Sequence, residues 1–340
     1  MRREKGMRIG ILGATGLVGC ELLKVMEERE LAVEELRLFA SSESDGVRVG
    51  DGAWKGSVRR VLSGAYEGLD VLFAAAPGII CADQIALAVR AGALVIDLSN
   101  ASRSAGDAPL IVGSLNAELI EADSECLASP RAQTIQLALV IDALRTLGVP
   151  VHVDGTLLVP ASQLGRAGME ILAQQAIALF NQSEMPRHAI GSRLAFNAIP
   201  AVGGFPDGQF ESSEESAVGN ELRRVLDESE LTCRFTAAHV PVFAGQSAAI
   251  TVELDCATTR EAVLECLAEA PGLVVQDRPE ERIYPEPGDI AGCEEVHVGR
   301  VRVDSGGRRV SLWMSSDNVR LGGAVNALDI WAQWAALRGA

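Results

Sequence analysis

The ten residues Gly10-Ile-Leu-Gly-Ala-Thr-Gly-Leu-Val-Gly19 restrict the possible folds more than any other stretch of this chain. They continue an apolar run, Arg8 to Leu12, that predicts a strand, and they pass into "LVGCELLKVMEERE", where apolar residues recur at helical spacing. Glycines at such a junction permit a tight turn and let backbone N–H groups at a helix N-terminus approach a pyrophosphate. Strand, glycine turn and helix in this order predict a dinucleotide-binding turn, with Gly13, Thr15, Gly16, Leu17 and Val18 at the cofactor. A glycine turn kept only for packing would read the same way.

The residues that follow favour the first reading because the pattern repeats. Candidate strands at Leu36 to Ala40, Asp70 to Ala76, Leu94 to Leu98 and Leu110 to Val112 alternate with helical segments such as "ICADQIALAVRAG", in which Ile85, Ala88 and Val89 share a face. Such alternation is the signature of an α/β domain with a doubly wound parallel sheet. From about residue 133 the texture changes. A helix near Thr134 precedes longer alternating runs, "HVDGTLLVPAS", "RFTAAHVPVFAG" and "SAAITVELD", and "DSGGRRV" separates Val296 to Val303 from Arg309 to Met314 as a hairpin. The second half is therefore expected to be α+β with a mainly antiparallel sheet. The expected boundaries are 1–131 for the first domain, completed by a C-terminal helix in 322–340, and 132–321 for the second.

Charge narrows the partners. The chain holds 46 acidic and 30 basic residues, a net charge of -16, which repels phosphate backbones and anionic lipid over long range. Nucleic acid and membrane are not expected partners. The basic start, "MRREKGMRIGIL", reads as a first strand rather than a leader, and no apolar run approaches the roughly 20 residues that span a bilayer, so a cytoplasmic location is expected. The seven cysteines show no C-x-x-C pair and the four histidines, His152, His188, His239 and His297, are scattered, so no metal site is expected.

The loop after the second strand normally selects between NAD and NADP, because a carboxylate receives ribose hydroxyls and a basic group pairs with the 2′-phosphate. Here it is "FASSESDG", with Ser41 and Glu43 in reach of the ribose and no basic residue before Arg48. NAD is the favoured cofactor, with NADP possible; a solvated loop carboxylate with no ligand would read the same way at Glu43.

Seven blocks, the glycine turn among them, carry a family resemblance: "GATGLVG", "VIDLSNASR", "SPRAQTIQ", "AFNAIP", "VPVFAGQS", "VGRVR" and "DNVRLGGAVNAL". In order and spacing they resemble aspartate-β-semialdehyde dehydrogenases, and among them the catalytically altered USG-1 type. The resemblance implies a Rossmann-like N-terminal domain, a C-terminal substrate and dimerisation domain, and kinship with the aspartate branch of amino-acid synthesis. It also implies a cysteine nucleophile where this chain has Ala132, and a histidine base where it has Gln246. An arginine that resembles a substrate clamp falls on His239, a substrate glutamine on Val159, and a phosphate-binding lysine on Ala217 after Glu214 and Glu215. Arg103, in "SNASR", is kept; with Glu215 and His239 it forms the residual substrate or anion site that the resemblance implies.

No catalytic residue is therefore expected. Three functions remain open. The first is a pseudoenzyme that binds a dinucleotide or a partner, as a homodimer or as a mixed dimer with an active paralogue. The second is a non-covalent NAD(P)-dependent oxidoreductase acting on a small carboxylic substrate. The third is a structural or interaction module with no ligand.

Overall fold

A computed structural model of the chain describes residues 6–51, 54–106, 108–187 and 190–339; the N-terminal residues read above as basic and His188 lie outside them. The chain divides into two compact units, one taking in the described residues of Met1–Arg131 with Gly322–Ala340, the other Ala132–Leu321.

The first unit runs β1 (Met7–Leu12), α1 (Leu17–Glu28), β2 (Val33–Ala40), β3 (Arg48–Val49), β4 (Gly56–Ser57), β5 (Arg59–Arg60), β6 (Val71–Ala74), α2 (Gly78–Arg90), β7 (Leu94–Asp97), α3 (Ala101–Ala105) and β8 (Cys126–Ala128). Its main sheet has the order β5-β2-β1-β6-β7-β8. Every pair in it is parallel. β3 and β4 form a separate antiparallel ribbon. Strands β6 and β7 are buried along their whole length, as a parallel strand covered on both faces must be. Ile9, Ile11, Leu22, Met26, Phe73 and Ile96 are at most 1% exposed and fill the core. Each contributes roughly 1.5–3 kcal/mol by leaving water.

The C-terminal helix, Asn326–Leu337, belongs to this unit. Asn326 fastens it: Gly113 N–H donates to its Oδ1 at 2.9 Å, and its Nδ2 donates to Ile111 O at 3.0 Å and Ser129 Oγ at 2.8 Å. An ion pair joins Arg29 to Asp329 at 2.7 Å.

One expected strand is corrected. Leu110 to Val112 makes a single bridge, Leu110 to Ala128, and the edge of the sheet is β8 instead. The cause is a side chain. Asn116 accepts from Val112 N–H at 2.8 Å and donates to Leu110 O at 2.9 Å, so it takes the backbone groups that a strand would have offered to a neighbour.

The second unit runs α4 (Ala132–Arg145), β9 (Pro150–Val159), α5 (Gly165–Phe180), α6 (Ser213–Leu226), β10 (Thr232–His239), β11 (Gln246–Leu254), α7 (Arg260–Glu269), β12 (Leu273–Val275), β13 (Val296–Val303) and β14 (Arg309–Ser316). Its sheet has the order β10-β9-β11-β14-β13-β12. The central pairs are antiparallel and the pair at each edge is parallel, so the sheet is mixed. The expected hairpin forms between β13 and β14. Asp304 caps its turn by accepting the N–H groups of Arg308 and Arg309, while Gly307 takes a left-handed φ of 73°. Helix α4 is buried on nearly every side and packs against α6 and α7. Among the described residues no helix is long and apolar enough to cross a membrane.

Candidate functional site

In the first unit the site is built at the carboxyl ends of the parallel strands. The order reverses between β1 and β6, and a doubly wound sheet opens its ligand crevice at such a point. The glycine turn lies there. Gly13 has φ 89°, and a Cβ on it would stand 2.7 Å from the carbonyl oxygen of Ala75, so only glycine fits. A Cβ on Gly19 would strike the carbonyl of Gly13, which brings α1 close to the strand end. Phe39 O receives the N–H groups of Gly13 at 2.8 Å and Ala14 at 3.1 Å and fixes the turn to β2.

Helix α1 starts at Leu17 with Gly16 as N-cap, no capping side chain and no acidic residue in its first turn. The first N–H groups of a helix have no intrahelical acceptor, and the dipole there favours an anion. Thr15, Leu17 and Val18 stand at this end, so the turn meets the requirements of a pyrophosphate seat.

Ser41 and Glu43 follow the carboxyl end of β2 and are exposed. The fold adds two residues that linear reading missed. β5 pairs with β2 in parallel, setting Arg59 beside Phe39 and Arg60 beside Ala40. Two arginines thus border the loop that appeared purely acidic, and Arg60 N–H donates to Asp45 at 3.3 Å. After β7, the buried Asp97 shapes the "SNASR" segment: Oδ1 accepts Ser99 N–H at 2.8 Å and Ser99 Oγ at 2.6 Å, and Oδ2 accepts Ser102 N–H at 2.8 Å. Arg103, half-buried on α3, donates to Leu98 O at 3.3 Å. Cys126 is no substitute nucleophile. Its Sγ lies 3.5 Å from Ser102 Oγ, and burial pushes the thiol above its ordinary range and keeps it protonated.

The second unit brings Ala132 and Gln246 together. Ala132 opens α4 and Gln246 opens β11. The Gln246 amide donates from Nε2 to Ala132 O at 2.8 Å and to Ser316 Oγ at 3.0 Å; Ser316 in turn donates to Gln136 Oε1 at 2.9 Å. Gln136, Gln246 and Ser316 are all at most 1% exposed. The chain thus pairs a methyl group with an amide that binds backbone. An amide neither accepts a proton at neutral pH nor activates a nucleophile, and the side chain at Ala132 offers none. On the next helical positions Thr134 Oγ1 donates to the buried Glu221 at 2.8 Å.

The other expected contacts are spread over this unit. His239 ends β10, is 3% exposed, and exchanges both backbone hydrogen bonds with Ile199. Glu215 engages backbone through both carboxylate oxygens. Ser212 N–H donates to Oε2 at 2.7 Å in a capping box that starts α6, and Ala237 N–H of β10 donates to Oε1 at 2.8 Å. Ser162 Oγ donates to Asn318 Oδ1 at 3.0 Å, and Val159 is fully buried.

Comparison with known proteins follows the same division. Residues 8–123 match the family model "Semialdehyde dehydrogenase, NAD binding domain", and residues 141–321 match "Semialdehyde dehydrogenase, dimerisation domain". A USG-1 protein homolog of Azotobacter vinelandii is 35% identical over 336 residues, covering 95% of this chain and 96% of its own. An aspartate-semialdehyde dehydrogenase of Aquifex aeolicus (strain VF5) is 32% identical over 337 residues, covering 96% of this chain and 97% of its own. Among solved structures, aspartate semialdehyde dehydrogenase II from Vibrio cholerae, complexed with ASA, superposes with a TM-score of 0.93 at 30% identity, covering 98% of this chain and 99% of that one.

Proposed function

The chain belongs to the semialdehyde dehydrogenase family, and from that premise we propose that it is a binding member of it: a protein that keeps the dinucleotide turn and has given up the family's covalent aldehyde chemistry. The observation that carries this reading is the bond from Gln246 Nε2 to Ala132 O at 2.8 Å. By the resemblance, the nucleophile and its base belong at these two positions. Here one has no nucleophilic atom and the other is a hydrogen-bonding brace. Removing a nucleophile costs on the order of 10⁶ in kcat where a catalytic triad has been dissected. The loss of the base leaves nothing to rescue the step.

The retained function on this reading is dinucleotide binding by Gly13, Thr15, Gly16, Leu17 and Val18, and self-association through the second unit, whose family model is a dimerisation domain. Both a homodimer and a mixed dimer with an active paralogue satisfy it. Arg103 remains as an anchor for a small anion. Glu43 favours NAD, whereas Arg59 and Arg60 favour a 2′-phosphate, and the ratio of the two affinities measures which prevails.

Calorimetric titration of the purified protein with NAD and NADP separately tests the proposal, alongside an assay for phosphate-dependent oxidation of aspartate semialdehyde. The expected outcome is saturable binding of a dinucleotide, tighter for NAD, and no turnover. Turnover above the solution background overturns the loss of chemistry; absence of binding to either nucleotide overturns the retained pocket.

A further inference from the structure

Before the hairpin, Cys293, Glu295 and His297 occupy alternate positions in a run that enters β13. The chain bends at Glu294 and Glu295 before it enters the strand, and the three side chains converge: the Cys293 thiol, a Glu295 carboxylate oxygen and an imidazole nitrogen of His297 all lie within 4.8 Å of one another. The intervening residues go elsewhere. Val296 and Val298 are fully buried, and Glu294 pairs with Arg320 at 2.8 Å.

His297 supplies the second, independent sign. The residue is 8% exposed, yet neither Nδ1 nor Nε2 has a hydrogen-bond partner. Such orphaned nitrogens are rare in a folded core because desolvation costs more than an unmade bond returns. A metal ion satisfies one of them directly. The turn before Cys293 is also fixed in place, since Gly292 N–H donates to Asp317 Oδ2 at 2.8 Å and Asp317 Oδ1 accepts Val319 and Arg320 N–H at 2.9 Å each.

We propose that Cys293, Glu295 and His297 form a binding site for one divalent transition-metal ion of the zinc type. The donor set selects the metal. Thiolate, imidazole and carboxylate together suit zinc and disfavour magnesium or calcium, which take oxygen. Bonds of about 2.0–2.3 Å bring tetrahedral ligand atoms to about 3.5 Å apart, so closure needs only small side-chain rotations. On binding, the Cys293 S–H bond breaks, its proton passes to solvent, and the sulfur pair forms the S–metal bond. Thiolate and carboxylate then neutralise the ion. Three protein ligands leave one position for water, and the ion would pin the segment preceding β13 to that strand.

The test uses the tag-free full chain, stripped with a chelator. Titration with Co²⁺ is read by the near-ultraviolet thiolate-to-cobalt charge-transfer band, and titration with Zn²⁺ by calorimetry. The expected result is one ion per chain and a charge-transfer band. C293S abolishes the band and weakens Zn²⁺ by about 100-fold or more, and E295Q weakens it by about 10-fold or more, since loss of even the groups that only orient a ligand costs about 10–100-fold. Glu295 is exposed, so E295Q bears on binding without disturbing the fold. C256S, at an exposed cysteine elsewhere, leaves both readouts unchanged. Absence of stoichiometric binding overturns the proposal, as does binding that survives both C293S and E295Q undiminished.

Discussion

At the scale of single residues, the question is what occupies a catalytic position once chemistry leaves it. Gln246 answers by bonding. Its amide ties the first turn of α4 to β14 through Ala132 O and Ser316 Oγ. Gln246→Ala removes two buried hydrogen bonds and opens a small cavity, with an expected loss of about 2–3 kcal/mol in urea unfolding. An unchanged midpoint would show that the bonds contribute nothing. That Ala132 and Gln246 lack nucleophile and base was legible in "SPRAQTIQ" and "VPVFAGQS". That the glutamine took up a structural contact was not, because the contact joins residues 114 positions apart. Arg59 and Arg60 escaped notice for the same reason: only the pairing of β5 with β2 carries them to the loop after Ala40.

At the scale of elements, periodicity located most strands but not their pairing. The glycine turn, α1 and the hairpin were legible because each depends on neighbours in sequence. The segment at Leu110 misled because Asn116, only a few residues on, competes for its backbone through a side-chain contact that apolar periodicity does not register. The cluster of Cys293, Glu295 and His297 was not legible, because a search for C-x-x-C spacing does not detect side chains that a bend in the backbone brings together.

Tyr66 gives this scale a pH-dependent test. It stacks edge-on against Phe39 of β2 at 5.5 Å, donates to Gln84 of α2 at 2.8 Å, and burial pushes its hydroxyl well above the ordinary tyrosine range. Above about pH 10 the unfolded chain releases this proton while the native state keeps it, so stability falls as pH rises through that range. Of the two tyrosines, Tyr66 accounts for the late component of a tyrosinate absorbance titration, and Tyr66→Phe is expected to abolish it. A late component that persists in the variant would refute the assignment.

At the scale of the whole molecule, the second unit's match to a dimerisation domain sets the expected mass in light scattering at twice the 35.9 kDa chain. A single-chain mass at micromolar concentration would remove self-association from the reading. The closing of the first unit by Asn326–Leu337 has a further consequence, for the order of events during synthesis. The strands of the parallel sheet leave the ribosome well before the asparagine that clamps Ile111, Gly113 and Ser129, because the whole of the second unit is synthesised between them. The intervening segment can finish folding while the first one waits incomplete. A nascent chain that has not yet presented Asn326–Leu337 therefore exposes the apolar face that Trp331 and Trp334 should cover, and it is in that interval that a chaperone would find it.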